Sequence, residues 1–302
     1  MNRWSRAGVA CLGISALAAL GWLGAALAGD PLGVPPPAPQ PNPIATAVDA
    51  GRHARIDGPH GPVHVWIPAS YSAPTGATIV YVHGYWDAAD TAWTGHQLPQ
   101  QFALSALNAM FIVPEAPTAQ KLPVNYPNLG ELLALVEQAT GVVRGGALTA
   151  VVGHSGAYRT IESWLDEPLV DQVIMVDALY GDEDNLIYWY RQSPRRRLIM
   201  VGQDTILGTE ALATKVPETF TLDRFPPTYD TWPAAAKTAR IVYIRSQYQH
   251  MPLVTEGIVL PSLLRLLPVE LLGDQPWSLP LGSLTSLPAM PDLDDAGVAP
   301  AD

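Results

Sequence analysis

The chain has 302 residues, 48% hydrophobic and only 15% charged, with a formal net charge of −11. That length supports one sizeable core or at most two small ones. The acidic balance leaves no basic footprint for nucleic acid, and it speaks to solubility rather than to substrate.

Residues 1–28 read as a secretory signal. Arg3 and Arg6 precede an apolar run from Ala7 to Ala28 that ends in Ala26-Leu27-Ala28. A basic start, apolar middle and small-x-small exit suit export, with cleavage after Ala28 and a periplasmic or extracellular destination. The run is long, so an uncleaved membrane anchor is the competing reading. The single cysteine, Cys11, lies inside this segment. Cleavage would leave no disulfide, thiol nucleophile or cysteine metal site, in a compartment that permits disulfides. Residues 29–50, which include Pro-Leu-Gly-Val-Pro-Pro-Pro-Ala-Pro-Gln-Pro-Asn-Pro, read as a proline-rich spacer unable to pack a core. The folded domain is expected over 51–272. A tail rich in Pro, Ser, Leu and Asp, expected to lack structure of its own, follows over 273–302.

Between these ends the pattern alternates. Two antiparallel-type strands at 54–57 and 62–68 flank a Gly-Pro-His-Gly turn. Strand–helix units follow: a strand at 78–82, a helix near 98–107, a strand at 110–113, an amphipathic helix at 129–139 and a strand at 148–152. Further on come a helix from Tyr158, a strand at 172–176, a helix around 185–192, a strand at 197–201 and a short helix at 210–213. A last strand at 241–244 and a closing helix at 258–267, interrupted by Pro261, complete the series. Continuous apolar strands alternating with helices predict a mostly parallel sheet covered on both faces. Its ligand site should lie beyond the carboxyl ends of the strands.

The stretch around which these units are organised is Gly153-His154-Ser155-Gly156-Ala157. An apolar strand precedes it, and Tyr158, Ile161, Trp164 and Leu165 follow at helical spacing. Strand, glycine-flanked serine and helix put a serine hydroxyl on a strained turn at a helix N-terminus. Ala157 stands where a second glycine is usual, so this is a variant elbow; an ordinary βα loop rich in small residues is the bland alternative. Such a hydroxyl needs a base oriented by a third group. Downstream of Ser155 the chain has one histidine, His250, after the last strand; the others are His53, His60, His64, His83, His96 and His154. The orienting acid is Asp177 or Asp204, each closing a strand. Asp177 abuts its strand directly and would be costly to bury without a partner, whereas Asp204 follows a flexible Gly-Gln. Each also has a plain reading, as a helix cap or a turn residue. For the developing oxyanion, one donor is the N–H of Gly156, and a second comes from the His83-Gly84-Tyr85-Trp86 loop, through Tyr85 or Gly84. His83 itself is assigned a structural job.

No zinc-type His/Glu motif, cysteine pair or phosphate loop is present, so no metal or cofactor is expected. Glu115 and Asp87 show no evident partners. Residues 182–190 could overhang the site as a small cap, with Tyr188, Trp189 and Tyr190 either lining a pocket or packing a helix on the sheet. The aromatic, proline-containing stretch 220–232 could form part of the rim.

Taken together, the His-Gly after the first parallel strand, the Gly-His-Ser-Gly-Ala elbow, Asp177 or Asp204, and His250 resemble the α/β-hydrolase superfamily, esterases and lipases among them. The resemblance spans 79–250. It implies an eight-stranded, mostly parallel sheet with helices on both faces and a Ser-His-Asp triad. The nucleophile maps to Ser155, the base to His250, and the oxyanion donors to Gly156 and Tyr85. Most members would favour Asp204 as the acid; a lipase-like minority matches Asp177. The expected function is a secreted serine hydrolase cleaving an ester or amide of a small-molecule, lipid or peptide substrate through an acyl-enzyme. A catalytically silent binding protein of the cell envelope, on the same fold, is the alternative.

Overall fold

The computed structural model describes residues 42–181 and 183–273; the expected signal segment, residues 29–41 of the spacer and the tail from 274 lie outside them. β1 (Arg52–Gly58) and β2 (Gly61–Ile67) form an antiparallel hairpin in register from Arg52–Ile67 to Gly58–Gly61. Gly61 at its turn has φ +115°, where an L side chain would be strained. β2 then runs antiparallel to β4 (Ala109–Pro114). From β4 onward every pairing is parallel, through β3 (Ala77–Val82), β5 (Thr149–His154), β6 (Gln172–Val176), β7 (Arg197–Gly202), β9 (Ile241–Arg245) and β8 (Phe220–Leu222). The order across the sheet is β1-β2-β4-β3-β5-β6-β7-β9-β8.

Every residue of β3, β4, β5, β6 and β7 is buried, as apolar strands must be when helices cover both faces. Alternate residues supply the two cores. Ile79 and Tyr81 face one cluster, together with side chains of α1 (Pro43–Ala50), α2 (Ala89–Gly95), α3 (Leu98–Ser105), α8 (Ala234–Thr238), α9 (Pro252–Thr255) and α10 (Val259–Leu264). Val80 and Val82 face the other, with α4 (Leu129–Thr140), α5 (Tyr158–Trp164), α6 (Glu183–Arg191) and α7 (Ile206–Lys215). No helix among the described residues is long and apolar enough to cross a membrane.

The architecture departs from expectation in several places. The sheet has nine strands rather than eight, because Phe220–Leu222 adds an edge strand in register with Val242–Ile244; three residues are too few to show a period. In the remainder of that stretch two of the aromatic rings turn inward: Phe225 and Trp232 are buried, edge to face, with centroids 5.2 Å apart. Residues 43–50 belong to the folded body, not to a spacer. The Asn42 side chain accepts from the Ile44 N–H at 2.8 Å, Pro43 takes the first helical position where its missing N–H costs nothing, and Ile44 enters the core. Finally, Pro261 does not interrupt a helix. It sits in the first turn of α10, whose N–H groups lack intrahelical partners in any case. In α6, Trp189 and Tyr190 are buried while Tyr188 is exposed, so this element is a packed helix.

Candidate active site

β5 delivers Ser155 at its carboxyl end with φ +53°, and a 3-10 turn over Ser155–Ala157 leads into α5. The glycines are there because neighbours occupy the space a side chain would need. A Cβ on Gly153 would lie 2.4 Å from Ile161 of α5, and one on Gly156 would lie 2.5 Å from the Tyr85 ring. A Cβ on Gly84 would come within 2.7 Å of Ser155 Cβ. Strand, helix and the loop after β3 therefore close around the serine, and Ala157 fills the final elbow position fully buried. Ser155 is half-buried.

His83 explains the shape of that loop. Its Nε2 accepts the Ala116 N–H at 3.0 Å, which puts the proton on Nδ1, donating to the Gly84 carbonyl at 2.9 Å. The ring thereby ties residues 83–84 to the segment after β4, as its structural assignment anticipates. Glu115 and Asp87 do have partners, contrary to the sequence reading. Glu115 accepts the Ala89 N–H at the start of α2, 3.0 Å away. Asp87 faces His96 Nε2 at 3.1 Å and also accepts from Thr91. These contacts join residues brought together only by the fold of the loop and α2.

Asp177 closes β6 with φ +48° and a fully buried side chain. Its carboxylate accepts the backbone N–H groups of Gln203, Asp204 and Thr205 at 2.9, 3.0 and 2.9 Å, and the Thr205 hydroxyl at 2.8 Å. His250 Nδ1 completes the set at 2.6 Å. Burial opposes the charge, but the hydrogen bonds from His250 and the three amides outweigh it and hold this carboxyl well below the usual carboxylate range. Asp204 is 55% exposed and stands 3.8 Å from the same nitrogen. With Nδ1–H donated to Asp177, His250 keeps Nε2 as a proton acceptor.

Ser155, His250, Gly84 and Tyr85 line one cavity of about 170 Å³, with Trp86, Asp87, His96, His154 and Met251 as its other walls. Asp177 lies behind His250. Trp86, His96 and His154 were not singled out from sequence as site residues. His154 alone carried a usable signal, its place inside the elbow. Three of the five non-glycine residues with positive φ among the described residues, Trp86, Ser155 and Asp177, belong to this site. Asp177, Asp204 and His250 lie close enough together to hold a cation by spacing alone, but Asp177 and Nδ1 of His250 are spent on each other.

No protein-family model matches the chain, and no curated protein sequence does. Among solved structures, it is similar to the feruloyl esterase module of Clostridium thermocellum, a complex with sinapinate, at 12% identity over 74% of this chain and 92% of that one, TM-score 0.48. It is also similar to a thermostable carboxylesterase from a metagenomic library, at 13% identity over 74% and 94%, TM-score 0.45. A third is an esterase of Pyrobaculum calidifontis, at 13% identity over 74% and 85%, TM-score 0.43. The chain's own topology identifies the fold. An antiparallel leading pair, a parallel sheet in this strand order and a strained serine between a central strand and its helix make up the architecture that the resemblance to α/β-hydrolases implies.

Proposed function

We propose that the chain is a serine hydrolase that cleaves carboxylic esters through an acyl-enzyme on Ser155. The observation that carries this reading is the 2.6 Å bond from a buried, ionised Asp177 to His250, whose ring lines the same cavity as the serine. In the proposed reaction the Ser155 hydroxyl passes its proton to Nε2 of His250 as its oxygen attacks the acyl carbon. Asp177 remains ionised and stabilises the imidazolium. The N–H groups of Gly156 and Tyr85 take the oxyanion. His250 then returns the proton to the departing alkoxide, and water, deprotonated by the same ring, releases the acid and frees the serine.

The cavity is small, which supports a preference for short acyl chains. A fluorophosphonate probe should label the folded protein at Ser155 and leave Ser155→Ala unlabelled; absence of label on the native protein sinks the reading. A series of p-nitrophenyl esters of graded length should show turnover falling as the acyl chain grows beyond a few carbons. Export rests on the signal-like residues 1–28. N-terminal sequencing of the mature protein, expected to begin at Gly29, tests it.

A further inference from the structure

The base of the site is gripped at more than its Nδ1. His250 follows β9 in a connecting segment, at a point where no strand pairing holds the backbone. His154, the residue before the serine, reaches across from β5 and touches it twice. Its Nε2 meets the His250 carbonyl oxygen at 3.2 Å, and the two rings face each other with centroids 4.4 Å apart and planes 37° off parallel. The carbonyl can only accept, so the proton of a neutral His154 sits on Nε2 and donates.

We infer that His154 is a positioning residue for the proposed hydrolysis: it fixes the His250 backbone through an Nε2–H···O=C bond and seats the face of its ring. The inference rests on the serine-hydrolase reading for its kinetic consequence, but not for its structural one. Asp177 holds the edge of the His250 imidazole, while His154 holds its face and its main chain. Together they leave the ring little freedom except to present Nε2. The nucleophile and the residue that seats the base are consecutive in the chain, so a single strand end sets both partners of the proton transfer.

The surroundings of His154 favour the form this role requires. It is buried, and its ring also stands edge-on to His96 at 6.1 Å. Burial, reinforced by the neighbouring His250 and His96 rings, lowers its pKa to about 3, outweighing the bond to the His250 carbonyl and the charge of Asp177, which act in the other direction. The ring therefore stays neutral around pH 7. A misplaced general base can cost on the order of a hundredfold in rate, which sets the scale of the test.

His154→Phe keeps a ring against His250 but removes the donor; His154→Gln supplies an amide N–H near the position of Nε2. With a short p-nitrophenyl ester, the Phe variant is expected to lose about 10- to 100-fold in kcat with KM changed by less than about twofold. The Gln variant should recover at least half of that loss on a logarithmic scale. The downfield proton resonance of the His250–Asp177 hydrogen bond should be sharp in the native and Gln proteins and broadened in the Phe protein. Unchanged kcat and an unchanged resonance in His154→Phe overturn the inference. Equal impairment of Gln and Phe also does so, since that would show packing rather than the donor to matter. If circular dichroism shows that the Phe variant is unfolded, His154→Met takes its place with the same expectations. If the native protein neither labels nor turns over any ester, the hydrolase reading has failed, and the resonance still decides whether His154 holds His250.

Discussion

The carboxyl ends of β6 and β7 both present an aspartate to His250, and they do so on opposite terms. Asp177 is buried, bent into the left-handed region and surrounded by four donors besides the histidine. Asp204 is more than half exposed, 3.8 Å from the ring, and one of the donors on Asp177 is its own backbone N–H. The second aspartate thus serves the first through its main chain. The contrast teaches that an orienting carboxylate is distinguished by the donors aimed at it, because these keep it ionised inside the protein. Reaching the same histidine is not enough.

Substitutions at the two ends should separate them sharply. The largest expected effect is Asp177→Asn, with kcat lowered by about 10⁴ through loss of the correct tautomer and of the imidazolium's counter-charge. Stopped or steady-state assays on a short ester check it; a loss under tenfold would place the orienting role elsewhere. Next comes the third strand end, at β5. Gly156→Ala drives a methyl into the Tyr85 ring and should displace an oxyanion donor, lowering kcat by about 10² to 10³. Asp204→Asn should cost less than about fivefold, the scale of an exposed charge in water. A loss comparable to that of Asp177→Asn would erase the contrast.

The smallest effects lie in the pH dependence of stability. The folded pKa of Asp177 is depressed, so its contribution is complete above the unfolded value of about 3.9 and is lost as pH falls below it. Asp177→Asn should flatten the stability curve in that acid range. His154 acts in a different window. With a folded value of about 3, against about 6.5 unfolded, the unfolded chain binds the extra proton between these limits and stability falls as pH drops through them. His154→Gln should reduce the slope between about pH 4 and 6 by up to about 1.4 kcal/mol per pH unit, read from urea melts. His53 and His64, whose values are also lowered, chiefly by burial, contribute to the slope that remains.

Much of the architecture was legible because its strands are uninterrupted apolar runs: β6 spans the very residues predicted, and the hairpin follows its Gly-Pro-His-Gly turn. The short elements were not. α2 and α8 have seven and five residues, and α2 depends on a distant carboxylate, Glu115, to accept the Ala89 N–H at its start. At the site, the serine and the histidine were readable from local pattern and chain order. The choice between Asp177 and Asp204 was not, because it turns on three amides contributed by the next strand's loop. The pairing of Asp87 with His96 leaves no trace in spacing either, since the residues sit at opposite ends of a short helix.

The left-handed backbone at Ser155 and Asp177 has a consequence for any attempt to harden this protein against heat. Each holds a side-chain-bearing residue in a conformation that glycine or asparagine tolerates more readily, at a cost of about 1 kcal/mol. A library screened for survival on heating alone should therefore enrich Ser155→Gly, which relaxes the bend and deletes the hydroxyl in one step. Robustness and turnover are set against each other at that residue, and a useful screen has to select for both at once.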